Sequence, residues 1–496
     1  MAKVLFVDVE QRNEKLGIMY ISAALKKSGH DTMLCWFDKE DVDSIVRSFS
    51  PDFLAFTLTT GIHRRLIKIA TTLKKQHGLK IIMGGPHITF FSDNIPENVA
   101  DFLVIGQGES VVSSIVEGKI TDRIIKSDLI DINTLSFPDR ALFYRFKEFR
   151  DNPMKNIITM RDCPYSCSYC YNHSWKKMFK GQPYFLQRRT VDNVIEEIKV
   201  IKERFILEKI LFIDDNFIVN EKWVREFSEK YKKEVNLPFI CSMRVNLLNE
   251  EKLQTLKEAG LFMVNFALEC ADPFVQKNIL NRGYINNEHV IDAISMLKKH
   301  NIKSRMQNMI GLPLDDSLKD ALNTLSFNQK NQVEDSWVSI FQPYPNTKLA
   351  KYCIDNGFIE GDLEKNIADS FFDKSSIKID HKDEINRLQK WWYYIVRYNF
   401  SDNFVRQLLT IDIDDSIAQK LQDLRFDFSK RYLYDIVEEN SNSLSFNLDQ
   451  IYNEFKSSTN FSLWQNIIIK YKIPIALVNI LINLNVPKDM FNNLSE

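Results

Sequence analysis

The segment KNIITMRDCPYSCSYCYN, residues 155–172, runs from an apolar strand pattern directly into three cysteines, Cys163, Cys167 and Cys170. The 496-residue chain has only seven cysteines, so three within one short loop point to a shared task. Thiolates grouped this tightly hold metal. His173 could complete a Cys3His tetrahedral zinc knuckle. Alternatively, three cysteines could hold an iron–sulfur cluster and leave one iron open to a small molecule. The setting chooses between them.

Downstream, strand and helix patterns alternate. KILFIDDNFI (209–218) precedes EKWVREFSEKYKKE (221–234), FICSMRV (239–245) precedes NEEKLQTLKEAG (249–260), and FMVNFALE (262–269) precedes NEHVIDAISMLKKHN (287–301). KSRMQNMIGL (303–312) and DSWVSIFQPY (335–344) complete the series. Six strand–helix units with loops at the strand ends predict a partial (β/α)6 barrel over residues 151–350. A zinc knuckle does not ordinarily open such a barrel at the end of its first strand. That placement favours iron.

Upstream, KVLFVDV (3–9), DFLAFTL (52–58), LKIIMGG (79–85) and DFLVIGQGE (101–109) alternate with GIMYISAALKKSGH (17–30) and RLIKIATTLKKQHG (65–78). Continuous apolar strands followed by amphipathic helices predict a parallel, doubly wound, Rossmann-like domain over residues 1–125. Such sheets take ligands beyond the carboxyl ends of their strands. Gly84 and Gly85, in one of those loops, are expected to let a ligand approach the backbone closely. No G-x-G-x-x-G joins the first strand to its helix, and the lone G-x-G, Gly106–Gly108, follows the last apolar run. That excludes the ordinary dinucleotide fingerprint. Residues 126–150, around SFPDR, read as a linker.

The layout of the first domain resembles the cobalamin-binding domain. The resemblance rests on LGIMYISAALKKSGH, TLTTG, GGPHIT and VIGQGES, in that order. It implies that Glu10, Gly17, Thr59, Thr60, Gly84, Gly85, His87, Gly106, Gly108 and Glu109 contact cobalamin, whose nucleotide tail threads between sheet and helices. Many such domains carry D-x-H-x-x-G after the first strand. DVEQRN offers Glu10 at the histidine position and Asn13 at the glycine position, so the usual cobalt ligand is absent. The expectation is that no histidine of this chain ligates cobalt; His63, in TLTTGIHRR, is the rival to it, and His87 reads as a surface or tail-packing histidine.

Residues 155–350 resemble the radical S-adenosylmethionine (SAM) superfamily, whose signature is C-x3-C-x-aromatic-C. The resemblance implies a [4Fe–4S] cluster on Cys163, Cys167 and Cys170 whose open iron chelates the methionine moiety of SAM. Reductive cleavage there yields a 5′-deoxyadenosyl radical. By the same resemblance Tyr169 packs on adenine, Glu269 binds the ribose and Asn308 approaches adenine. Arg244 is either the partner of Glu269 or a clamp for the methionine carboxylate. Asp214 and Asp215 stand where relatives carry Gly-Gly-Glu, and otherwise read as a turn-capping pair. In PYPNT (343–347) Asn346 replaces a family glycine and is expected to take a left-handed backbone.

Beyond residue 351 helical patterns predominate, predicting a helical C-terminal region over 351–496. DEINRLQKWWYYIVRYNF (383–400) lines up Trp391, Trp392, Tyr393 and Tyr394. They read as a wide core face or, in the alternative, as a lid over the substrate opening. IPIALVNILINLNV (473–486) is short and interrupted by asparagines, so it reads as a buried helix and not a membrane span. Lys+Arg (65) and Asp+Glu (66) nearly cancel, which removes the global basic field a nucleic-acid binder would show. No secretory signal pattern opens the chain, and unevenly spaced cysteines suit a reducing cytoplasm.

Together the resemblances imply an α/β enzyme that faces cobalt and a 5′-deoxyadenosyl radical toward one substrate. The expected activity is methylation of an unactivated carbon, or phosphorus, of a small-molecule or peptide substrate, through methylcobalamin. An external one-electron reductant of the flavodoxin or ferredoxin type would supply the cluster. Two alternatives stay open: oxidative cyclisation or ring rearrangement without methyl transfer, and a corrinoid carrier or sensor with a structural metal site.

Overall fold

The computed structural model describes residues 1–9 and 14–434, with 477, 478, 480, 481 and 484. The N-terminal sheet is parallel and six-stranded: β1 (Lys3–Asp8), β2 (Asp31–Trp36), β3 (Phe53–Thr57), β4 (Lys80–Gly84), β5 (Phe102–Ile105) and β6 (Ile124–Lys126). Its order is 2-1-3-4-5-6, so the crevice at the topological switch lies between the loops after β1 and β3. Val4 and Phe6 face one side while Leu5 and Val7 face the other, as the two-residue period of a strand requires. Helix Leu16–Lys27 closes the first core and helix His63–His77 the second. Strands β2 and β6 carry no clear sequence signal. The first half of β2 is only partly buried, and β6 has three residues.

Residues 126–150 are built into this domain. Phe143, Tyr144 and Phe149 join its core, and the Phe146 ring stacks on Trp36 at 3.9 Å.

The second sheet runs β7 (Met154–Ile157), β8 (Lys209–Phe212), β9 (Phe239–Ser242), β10 (Leu261–Glu269), β11 (Lys303–Ile310) and β12 (Asp335–Ile340), all parallel and in consecutive order. Among the described residues β7 and β12 do not pair, so the barrel is open, with six strands as expected. Five crossover helices start at Thr190, Asn220, Asn249, Asn286 and Asp316, each accepting a backbone N–H three residues on at 2.9–3.2 Å. These caps satisfy donors that the first helical turn leaves unpaired. Strand β8 stops at Phe212, well short of the apolar run in the sequence, because Asp214 turns back to bind the end of β7.

The C-terminal region is helical. Helix Lys382–Tyr398 packs along β12 and against helix Ser317–Lys330. Trp391, Trp392, Tyr393 and Tyr394 are all buried, so this part of the helix is enclosed on every side. The core reading of this aromatic run holds, and the lid does not. Trp392 donates its indole N–H to Ser336 Oγ at 2.7 Å, and Tyr394 its hydroxyl to the Leu421 carbonyl at 2.6 Å. Most of 473–486 lies outside the described residues, but Leu477, Val478, Ile480 and Leu481 are buried in the same core. No helix among the described residues is long and apolar enough to cross a membrane.

Candidate active site between the two sheets

After β7 the chain turns at Thr159–Met160, whose N–H groups donate to Asp214 Oδ1 at 2.6 and 2.9 Å. Asp214 therefore caps this turn and is not placed to receive a ligand amine. The cysteine loop follows. It is pinned at Ser168, whose N–H donates to the Leu280 carbonyl at 3.0 Å and whose carbonyl accepts from Leu349 N at 2.9 Å. Cys163, Cys167 and Cys170 are all partly exposed, free thiols. Burial pushes the Cys163 thiol up to about 11 and the Cys170 thiol up to about 12.

Donors surround the sulfurs. Asn172 offers both its backbone N–H and its side-chain amide to Cys170 Sγ at 3.5 and 3.4 Å. Arg244 Nη1 lies 3.8 Å from Cys167 Sγ, and its guanidinium stacks 3.7 Å over the Tyr165 ring. His173 is spent elsewhere: Nδ1 meets the Cys170 carbonyl at 2.7 Å and Nε2 the Ser174 hydroxyl at 3.3 Å. Among the described residues no three His, Cys, Asp or Glu side chains converge as one metal ion requires. The zinc knuckle does not fit this geometry. Three thiols without a fourth protein ligand, ringed by sulfur-directed donors, fit a cluster with an open iron.

Glu269 ends β10 at a register shift and holds a left-handed φ of 67°. Such strain at a non-glycine residue marks a position fixed by its surroundings. Its Oε1 accepts the Tyr169 hydroxyl at 2.7 Å, while Arg282 Nη1 donates to the same hydroxyl at 3.0 Å and lies 3.7 Å from the carboxylate. The partner of Glu269 is thus Arg282, not Arg244. Nothing in the sequence marks Arg282, which is delivered by the turn after Val275–Ile279. Asn308 does not face the barrel interior. It points into the helix layer, bonded to Asn328, Ser336 and the Trp337 carbonyl at 3.0–3.3 Å. The expected approach to adenine therefore fails; strand alternation turns its neighbour Gln307 inward instead.

A cavity of about 540 Å³ joins the two sheets. On one side lie Gly17, Gly84, Gly85, Gly106, Gly108 and Glu109, and on the other Met160, Arg161, Asp162, Tyr171, Trp175 and Asp215. It runs down between helix Leu16–Lys27 and the face of Val4, Phe6, Ala55 and Ile82, a slot of the kind a nucleotide tail would thread. Gly85 serves the fold more than the ligand. At φ 95° its Cβ would stand 2.8 Å from the Leu58 carbonyl oxygen. Gly106, at φ 94°, is hemmed in by Ser127 and Phe179. Glu109 is paired with Arg161 at 2.6 Å, tying the glycine loop to the start of the cysteine loop. Thr59 is exposed outside the cavity, and Glu10 lies outside the described residues.

Thr60 Oγ1 lies 3.1 Å from His87 Nδ1 and 3.3 Å from the Tyr171 hydroxyl. Tyr171 stacks on Phe90 at 4.5 Å, with the Tyr344 ring 5.5 Å away. His63 and His87 stack on each other at 3.9 Å, both buried. Sequence reasoning passed over Tyr171, although it directly follows the third cysteine. Asn346 has the expected left-handed φ, 59°, and its amide donates to the Phe90 carbonyl at 2.7 Å.

Comparison with known proteins adds the decisive observation. Residues 2–116 match the B12 binding domain, and residues 157–325 match the radical SAM superfamily. The chain is a cobalamin-binding radical SAM protein. Its two domains take cobalamin on one side, and a [4Fe–4S] cluster with SAM on the other. This radical SAM protein is 26% identical, over 374 residues, to the uncharacterized methyltransferase PH0819 of Pyrococcus horikoshii, covering 69% of this chain and 79% of that one. It is 20% identical to the hopanoid C-2 methylase of Rhodopseudomonas palustris, covering 62% and 59% respectively. Among solved structures, the cobalamin-dependent SAM radical enzyme OxsB superposes with a TM-score of 0.64 at 13% identity, across 100% of this chain and 83% of that one. At that identity the likeness shows the fold.

Proposed function

We propose that the protein is a methyltransferase that adds a methyl group to an unactivated carbon of a small-molecule or peptide substrate. The observation that carries this reading is the shared cavity: the residues flanking the cysteines, Arg161, Asp162, Tyr171 and Asn172, line the same chamber as the glycine-lined slot. When bound, cobalamin supplies a transferable methyl group, and the cluster with SAM supplies a hydrogen-abstracting radical. An sp3 carbon is no nucleophile, so both are needed. The methyltransferase relatives support methyl transfer over oxidative cyclisation; the hopanoid C-2 methylase among them supports a carbon acceptor, and they also include a cytidylyl-2-hydroxyethylphosphonate methyltransferase of Streptomyces wedmorensis.

The chain's own residues position and shield. Asn172 and Arg244 direct N–H groups at two of the cysteine sulfurs. Tyr169, Glu269 and Arg282 form a preorganised set in which the carboxylate, held at the end of β10, is the acceptor for a ribose hydroxyl. Arg161–Glu109 fixes the spacing between the cysteine loop and the corrinoid side. Tyr171, Phe90 and Tyr344 close the seam between the domains with aromatic rings, keeping water from a radical reaction. An external one-electron donor of the flavodoxin or ferredoxin type would supply the reducing electron.

The test compares metabolites of cells with and without the gene, grown with methyl-deuterated methionine. A product heavier by one labelled methyl is expected, its label carbon-bound in the fragment spectrum. A product that has lost hydrogens and carries no label would replace methyl transfer with oxidation.

A further inference from the structure

The inner wall of the barrel faces a buried cation that forms no ion pair among the described residues. In register, Ala267 of β10, Gln307 of β11 and Trp337 of β12 form one rung, and Asn265, Arg305 and Asp335 the rung below. Their sequence neighbours Phe266, Met306 and Val338 lie in the core beneath the helices, so both rungs face the interior. Gln307 is exposed although β11 lies inside the sheet, which makes the interior open at that rung. Arg305 and Asp335 satisfy each other at 2.7 Å.

Helix Asp415–Tyr434 brings Arg425 over this wall. Its guanidinium lies 4.0 Å from the Trp337 ring centroid and 5.0 Å from that of Phe372. Arg425 is 6% exposed, makes no salt bridge among the described residues, and its Nη2 has no hydrogen-bond partner. Burial pulls its pKa down to about 10, against the weaker opposing pull of Asp335. A cation–π contact repays only part of the cost of desolvating a guanidinium. A buried charge is otherwise paired, and the missing partner here is an anion.

We propose that Arg425 anchors an anionic group of the substrate, a carboxylate or a phosphate, in the barrel interior against Trp337. The planar fork of a guanidinium suits a two-oxygen acceptor, and the Trp337 ring keeps that fork flat. Ala267, without a long side chain, shares the rung with Gln307 and Trp337. This assignment rests on the substrate of the proposed methyltransferase reaching beyond the cavity between the sheets into the barrel interior. Binding alone reads it, so failed methyl transfer would leave it standing, and its own failure would leave methyl transfer standing.

The experiment titrates the full chain, loaded with cobalamin, with benzoate, phenyl phosphate and benzamide by saturation-transfer NMR. At least one of the two anions should bind about tenfold more tightly than neutral benzamide, and Arg425→Gln should erase that difference. Arg425→Lys should keep part of it. Cobalamin retention, a property of the other domain, together with an unchanged circular dichroism spectrum, reports that the variants are folded. If Arg425→Gln does not fold, the contrast between the anions and benzamide in the unmodified chain decides. Equal binding of all three probes, or an undiminished preference in a folded Arg425→Gln variant, would overturn the proposal.

Discussion

Tyr169 stands between two roles, since its ring flanks the cluster loop while its hydroxyl bridges Glu269 and Arg282. Removing only the hydroxyl separates them. Tyr169→Phe should keep the iron content and raise the SAM concentration needed for half-maximal cleavage about tenfold, because a hydrogen bond to a charged group is lost. Replacing Cys163, Cys167 and Cys170 together by alanine should instead abolish iron uptake and 5′-deoxyadenosine formation, with cobalamin still bound; stoichiometric zinc in the unmodified protein would contradict this. The cysteines were legible in the sequence because their spacing is local. Arg282 was not, because 13 residues and a turn separate it from Glu269, and only the fold brings the two together. Asn308 misled for a related reason: strand alternation sends one of two adjacent amides inward, and composition does not say which.

At the scale of elements, the strands and helices were legible wherever burial was continuous. They were obscured where a side chain ends an element early, as Asp214 does after β8. Helix Lys382–Tyr398 shows how an ambiguous pattern resolves: its aromatics exceed one face, and β12 and two helices enclose them from several sides. Trp392→Ala should therefore lower the unfolding free energy by about 3–5 kcal/mol in denaturant titration. The loops after β3 and β4 give a pH signature. Burial lowers the pKa of His63 to about 4, helped by Arg64 and opposed by Asp369, and that of His87 to about 3, helped by His63. Both values lie below the ordinary 6.5. The unfolded chain thus takes up protons below about pH 6.5 that the folded one refuses, and stability falls as pH drops from there toward 4. The Tm of the cobalamin-free protein should drop between pH 7 and 5, and a His63→Gln/His87→Gln variant should show a shallower drop over the same range.

The whole molecule is held as one working unit by polar ties between its domains. Arg140 bonds Glu197 of the barrel at 2.8 Å and lies 3.5 Å from Glu14 of the N-terminal domain, with all three side chains covered. Glu109 and Arg161 form a second tie at the cavity itself. Glu109→Ala would leave the Arg161 cation uncompensated, at a cost of about 3 kcal/mol, and should also weaken cobalamin retention in gel filtration. Retention at full strength would mean that the glycine loop holds its place unaided. The same cavity has an optical consequence. Trp175 lines it, whereas Trp36, Trp223, Trp391 and Trp392 are buried in the cores and the half-buried Trp337 faces the barrel interior. A corrinoid seated there would lie beside Trp175 and absorb its emitted light by energy transfer. Iodide should leave the core indoles bright while cobalamin titration darkens the Trp175 component. The protein thus carries a built-in fluorescent gauge of its own cofactor loading.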